Sequence, residues 1–213
     1  MVIAGHDSMS STLPWAVKYL ADHQDAQQRL RKSMHAGYAK AFSEGYTPTT
    51  AEITGISIPY ADAIMGEVLR FSTVVSFGSR QATRDTTVLG RRIPKGTVVI
   101  YLKNGPSFFT KGYDIDESIR SETSKQEENR IKKDTGGNEI YDPNAAPMST
   151  FGLGPRDCFG KKLAYLEFRL LLTMIVWNFE LQKCAGELSS YEGWYKTFVV
   201  PWQCYVRPNK IIR

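Results

Sequence analysis

Cysteine, histidine and long apolar runs are all scarce in this chain of 213 residues. Its three cysteines are Cys158, Cys184 and Cys204, and none forms a C-x-x-C, so neither a zinc site nor a dithiol redox pair is suggested. An odd, low count points to a reducing compartment. His23 and His35 are not spaced as metal ligands with each other or with His6, and both read as surface histidines. The nearest approach to a membrane span, Leu170 to Trp177, falls far short of the ~20 apolar residues a bilayer requires. The opening residues MVIAGHD lack the basic start and apolar stretch of a secretory signal. Lys and Arg number 27 against 22 acidic residues, but they are scattered in twos and threes, so no nucleic-acid partner is expected. There is no internal repeat. With 42% hydrophobic and 23% charged residues, the composition is that of an ordinary globular chain with one sizeable core.

What is present is concentrated in ten residues, Phe151 to Gly160, reading FGLGPRDCFG. A lone cysteine sits in a loop bracketed by Gly152, Gly154 and Gly160, residues that allow close backbone approach or left-handed conformations. The segment after it, KKLAYLEFRLLLTMIVWNFEL, contains no Gly or Pro. Its apolar positions (Leu163, Leu166, Leu170, Met174 and Trp177 among them) wrap nearly the whole circumference, which predicts a buried helix over 151–178 together with its loop. Cys158 then stands at a helix N-terminus, where free N–H groups and the positive dipole end favour thiolate over thiol. A thiolate can hold iron, and on haem iron it favours O–O cleavage. The bland alternative is a buried structural cysteine.

Phe-x-x-Gly-x-Arg-x-Cys-x-Gly resembles the haem-binding signature of the cytochrome P450 family, the haem-thiolate monooxygenases. All five fixed positions are met: Phe151, Gly154, Arg156, Cys158 and Gly160. The resemblance extends to the start of the chain. Ala4-Gly5-His6-Asp7-Ser8, in a helix predicted over 1–22, is similar to the family's oxygen-activating helix. Ala4 and Gly5 would leave room above the iron, and Asp7 and Ser8 would relay protons. The family more often has Thr where Ser8 stands. Read without the family, Asp7 or Ser8 is an ordinary helix cap. Pro14 interrupts the helical pattern, removes one hydrogen bond and costs about 3 kcal/mol unless the helix kinks.

A polar helix is expected from Asp22 to Phe42, with Gln24, Gln28, Arg29, Arg31 and Lys32 on a solvated face. Gly45 to Thr50 reads as a loop. In the helix predicted over 57–71, Ala61, Ile64, Met65, Val68 and Leu69 form an apolar stripe, with Glu67 and Arg70 on the opposite face. Glu-x-x-Arg is the family's second signature, although Glu117/Arg120 and Glu127/Arg130 repeat the spacing. Residues 78–102 read as short strands of a small sheet. Within them Arg80 matches the arginine that pairs with a haem propionate, Arg156 being the second; a surface role for Arg80 is as good a reading. Residues 104–138 are polar and read as loop or disorder. The Pro-Glu-Arg-aromatic motif that the family carries before its haem loop is missing from NEIYDPNAAPMST, which suggests a short deletion near Lys133 to Asn138. Terminal strands are expected over 195–207, where Phe198 and Val199 would line a substrate pocket or simply pack.

The resemblance implies a mainly α fold with small β-sheets, corresponding to the C-terminal haem-binding part of the family fold with its N-terminal part absent. It implies haem b, two electrons from an NADPH-dependent reductase, and insertion of one oxygen atom into an apolar small molecule. Lys161 and Lys162 would steer an acidic reductase or are plain solvated lysines. A full-length relative would sit at the endoplasmic reticulum membrane; this chain, without an anchor, is expected in the cytoplasm. The style of the sequence suggests a fungal member of secondary metabolism. Two rivals remain: a truncated remnant that turns nothing over, and a helical interaction module without haem.

Overall fold

The computed structural model of the chain describes residues 2–88, 90–103, 118, 131–133, 139–141, 150–152, 154–195 and 198–212. Six helices are described: α1 (Val2–Asp22), α2 (Gln24–Gly37), α3 (Ala39–Glu44), α4 (Thr50–Gly55), α5 (Pro59–Ser72) and α6 (Lys161–Asn178). Helix α1 carries Pro14 in its interior. Hydroxyls around the proline turn back onto the helix: Ser11 Oγ donates to Asp7 C=O at 2.7 Å and Thr12 Oγ1 to Ser8 C=O at 2.8 Å.

The single polar helix expected from Asp22 to Phe42 is two helices. Tyr38, at φ −104° and ψ 47°, breaks the run between α2 and α3. Gly37, the last residue of α2, lets Ile58 approach closely: a Cβ on it would meet Ile58 Cδ1 at 2.8 Å. Across the break Phe42 stacks on His35, with ring centroids 4.1 Å apart, and the His35 ring is edge-on to Trp177 at 5.1 Å. His35 is therefore packed among aromatics and is not the surface histidine the sequence suggested.

The solvated face expected on α2 is also partly turned inward. Gln24 donates to Leu181 C=O in the segment that follows α6, and Arg31 donates to Val176 C=O in the last turn of α6 and to Phe179 C=O just after it. Helix α4 falls just after the loop expected at 45–50. Its start is a capping box: Thr49 Oγ1 accepts from Glu52 N–H at 3.3 Å, and Glu52 Oε2 accepts from Thr49 N–H at 2.8 Å. Helix α5 begins at Pro59, whose fixed φ suits the first helical position.

The core is assembled by α1, α2, α5 and α6, with Leu30, Met34, Met65, Val176 and Trp177 fully buried. Trp177 Nε1 donates to Tyr46 C=O at 3.2 Å, so the largest buried side chain is also polar-satisfied. Helix α6 departs from the sequence reading. It buries Phe168, Leu172, Thr173, Val176 and Trp177, a single stripe. Leu163, Leu166, Leu171 and Met174 are 40–52% exposed, so the helix is half-buried and not enclosed all round.

Among the described residues, ten short strands form five two-stranded antiparallel ladders. β1 (Phe77–Gln81) pairs with β4 (Val98–Leu102), and β2 (Thr86–Val88) with β3 (Arg91–Ile93). β5 (Ile131–Lys133) pairs with β6 (Glu139–Tyr141), so the polar stretch expected as loop over 104–138 ends in a strand. Most of the rest of that stretch, including the proposed deletion point at 134–138, lies outside the described residues. β7 (Phe179–Lys183) runs straight on from α6 and pairs with β10 (Val206–Lys210), while β8 (Gly193–Tyr195) pairs with β9 (Val199–Pro201). Val199 N–H donates to Val74 C=O at 2.9 Å, which ties the terminal hairpin to the segment leaving α5.

Candidate active site

The loop before α6 is shaped by its glycines. Gly152 and Gly154 take φ of 75° and 73°, conformations that a side chain would strain. They let the chain double back so that Cys158 N–H donates to Phe151 C=O at 2.7 Å and Asp157 N–H to Gly154 C=O at 3.0 Å. Gly160 caps α6, and Lys161 N–H donates to Cys158 C=O at 3.2 Å, so the cysteine sits two residues before the first helical turn. A Cβ on Gly160 would lie 3.8 Å from Cys158 Sγ, which is ordinary contact. The thiol is free and exposed. It is not the buried structural cysteine that the bland reading required.

Two contacts hang this loop on its neighbours, and a third braces the helices behind it. Thr150 Oγ1 donates to Leu69 C=O at 2.9 Å, so the loop is fastened to α5 one residue before Arg70. Phe151 packs on Tyr165 of α6, ring centroids 5.3 Å apart, with the Lys161 ammonium 6.0 Å over the Phe151 ring. Arg169 Nη2 donates to Asp62 Oδ1 at 2.6 Å and joins α6 directly to α5.

On α5, Arg70 grips Glu67 with two nitrogens. Nη2 lies 2.6 Å from Oε2, and Nε lies 3.2 and 3.1 Å from the two carboxylate oxygens. The Arg70 side chain is 11% exposed and that of Glu67 34%, so this is an interior pair open at one end. The guanidinium also lies 3.7 Å from the Phe71 ring centroid, a cation–π contact.

Arg80 is exposed on β1, where its Nη1 donates to Ser79 C=O at 2.8 Å. Its guanidinium is 5.8 Å from the Tyr101 ring on the paired strand. Tyr101 lies across Gly78, where no Cβ would fit. Arg156, in the turn before the cysteine, is exposed.

Lys103 is the residue that the sequence reading missed. It closes β4, is only 8% exposed, and its N–H donates to Ser76 C=O at 2.8 Å. Burial pushes its ammonium below the usual lysine range, the nearby Arg80 guanidinium pushes the same way, and Cys158 pulls it back up. Arg80, Lys103 and Cys158 therefore share one electrostatic neighbourhood. The available signal was a single cation ending the apolar run VVIYL.

At the start of α1, Ala4 is exposed and Gly5 half-buried. The position of a Gly5 Cβ has no atom within 4 Å. Ser8 Oγ donates to Gly5 C=O at 3.2 Å, and the Asp7 carboxylate lies 3.0 Å from His6 Nδ1. No hydrogen bond or ion pair among the described residues joins Asp7 or Ser8 to the cysteine loop.

A soft, exposed thiol with guanidinium and ammonium groups nearby suits a metal-bearing ligand that carries carboxylates. The donor set thus fits haem. Among the described residues no cluster of three or more His, Cys, Asp or Glu side chains could hold a bare metal ion. No described helix is long and apolar enough to cross a membrane.

The family model for cytochrome P450 matches residues 1–105 and 132–202. The chain is 39% identical over 236 residues to the Hps1-dma1 cluster cytochrome P450 monooxygenase cyp3.1 of Dothistroma septosporum, covering 97% of this chain and 74% of that protein. It is 35% identical over 241 residues to the cytochrome P450 monooxygenase TRI13 of Fusarium sporotrichioides, covering 99% of this chain and 41% of that protein. It is 34% identical over 206 residues to the cytochrome P450 monooxygenase xilC of Penicillium crustosum, covering 91% and 36% respectively. The first two alignments are longer than the chain itself, so those relatives carry positions with no counterpart here.

Proposed function

The chain belongs to the cytochrome P450 family, and on that premise we propose that it is the C-terminal, haem-binding part of a monooxygenase that inserts one oxygen atom of dioxygen into an apolar small molecule. The observation that carries the reading is the environment of Cys158. Its thiol is free and exposed at the mouth of α6, with Lys103 in electrostatic reach.

Cys158 Sγ would hold the haem iron. Phe151 and Gly160 keep the sulfur's surroundings apolar and small, and Gly154 turns the loop beneath it. Arg80 and Arg156 would hold the haem carboxylates, with Lys103 as a third positive group. The haem iron, when bound, supplies dioxygen activation, and thiolate ligation favours O–O cleavage. Ala4 and Gly5 would leave space for dioxygen, and the Gly5 Cβ position is open. Ser8 Oγ holds the proton to be delivered, and the Asp7 carboxylate replaces it from solvent. Glu67 and Arg70 keep α5 rigid behind the loop. Electrons come from an NADPH-dependent reductase. A shallow basic depression lined by Lys161, Lys162 and Arg169 on α6 supports docking of an acidic partner there.

Reconstitution with haem and a fungal NADPH-dependent reductase under ¹⁸O₂ tests this reading. One heavy oxygen atom in the product from an apolar substrate panel is the expected result; NADPH consumption with no labelled product contradicts it. A second reading, haem bound without turnover, is favoured by one observation. The helix and loop that carry the cysteine leave Phe159 88% exposed and Leu163 52% exposed, apolar surface that a finished pocket would cover. Thiolate-ligated haem without labelled product is its signature.

A further inference from the structure

We infer that two copies of this chain pair through the outer edge of β4, antiparallel and centred on Ile100, to form one continuous sheet from β1 and β4 of each copy. Among the described residues β4 pairs with β1 and with no other strand. Lys103 N–H donates to Ser76 C=O and Ala82 N–H to Thr97 C=O, which fixes the hydrogen-bonding alternation of the ladder. Val99 and Tyr101 therefore turn their backbone groups to β1. The N–H and C=O of Val98, Ile100 and Leu102 point to the outer edge. The side chains of these three lie on one face of the ladder and are 57–74% exposed.

The outer edge of β4 is unguarded, whereas that of β1 is not. Soluble proteins blunt a sheet edge with charge, with proline or with a cover. On β1 the exposed Arg80 carries the charge, and its Nη1 already donates to Ser79 C=O, one of the outward carbonyls of that strand. β4 reads VVIYL, with neither charge nor proline.

Symmetry identifies the occupant as a second copy. Laid antiparallel on itself about Ile100, β4 sets Val98 opposite Leu102 of the other copy and Ile100 opposite its own equivalent. In each of these pairs both backbones face the shared edge, so both N–H···O bonds form. The facing side chains are aliphatic and fall on the same face, where cross-strand contacts stabilise a sheet. Each copy has a net charge of +5, and this uncharged strand lets them meet without a cation on either side. A two-stranded ladder is marginal alone, and pairing gives it the further strands that an independent sheet needs. Because Arg80 occupies the β1 edge, association closes at a two-fold dimer and does not continue into a fibre.

Sedimentation velocity of the whole chain across a wide range of concentration tests the inference, and a reversible monomer–dimer equilibrium is expected. Ile100→Lys sets two ammonium groups face to face on the two-fold axis and should weaken the dimer by at least about tenfold. Gln28→Lys adds the same charge on the exposed surface of α2 and should leave the equilibrium unchanged. Ile100→Pro removes an outward N–H but no ladder bond, and should also weaken the dimer. Circular dichroism reports whether each variant folds; where one does not, cross-linking decides. Under mild oxidation Ile100→Cys should bridge to its own equivalent, read by mass spectrometry of the linked peptide. Val98→Cys, which faces Leu102 of the other copy, should not. A monomer at every concentration, an open-ended polymer, a dimer that Ile100→Lys leaves intact, or bridging at Val98→Cys in preference to Ile100→Cys would overturn the inference.

Discussion

Gln27 pairs with Leu181 as one strand pairs with another. Leu181 N–H donates to Gln27 Oε1 at 2.8 Å, and Gln27 Nε2 donates to Leu181 C=O at 2.9 Å. The same Nε2 donates to Leu20 C=O at 2.8 Å, and Arg31 Nη2 donates to Oε1 at 3.0 Å. A fully buried side-chain amide thus satisfies the last turn of α1 and the middle of β7 while it is itself satisfied. This clamp fixes where the chain goes after the cysteine helix.

Gln27→Leu is close in volume but strands the buried Leu181 N–H and takes a donor from Leu20 C=O, while Leu181 C=O still accepts from Gln24 Nε2. We expect a loss of about 3 kcal/mol of stability, since each unsatisfied buried group costs about 1–3 kcal/mol. Urea denaturation followed by Trp fluorescence measures it. A loss below about 0.5 kcal/mol would mean that water replaces the amide.

Glu67→Ala removes the carboxylate from an arginine that is 11% exposed. The pair opens to solvent at the Glu67 end, so the cost should fall below that of a fully buried pair, at about 2 kcal/mol. Glu67→Gln should cost less, because an amide oxygen still accepts from the guanidinium. Chemical denaturation of the three proteins gives this order; equal stabilities would show that Arg70 is held by its other contacts.

Glu52 makes the fold pH-dependent at its α4 end. Hydrogen bonds from Thr49 N–H, from Tyr46 O–H and from the Thr49 hydroxyl hold its carboxyl below the usual carboxylate range. The folded value lies below the unfolded one. The resulting stability is present above the unfolded value and is lost as pH falls through the folded one. Stability of the wild type should therefore drop more steeply on acidification than that of Glu52→Gln. Parallel stability–pH curves would contradict the assignment.

The cysteine loop was legible because its chemistry is contiguous: glycines, arginine and cysteine within ten residues, followed at once by a helix. The stripe on α5 was legible because local periodicity states which face is buried. Gln27, His35 and Lys103 were not legible, since each owes its environment to a distant segment. Gln27 is paired by β7, His35 is stacked by Phe42 across the break at Tyr38, and Lys103 is tied to Ser76 at the entry to β1. The exposed leucines of α6 were misread for a related reason. Apolar residues all round a helix show that it can be enclosed, and whether it is depends on which elements surround it. The helix at 50–55 had a signature in Thr49-x-x-Glu52 that the surrounding turn residues obscured.

The measurement that reaches the central claim most directly is the carbon monoxide difference spectrum of the chain after addition of haem and reduction. Cys158 as axial ligand predicts a strongly red-shifted Soret band in the wild type that disappears in Cys158→Ala, with helix content unchanged by circular dichroism. An unshifted band, or a shifted band that survives Cys158→Ala, would contradict it.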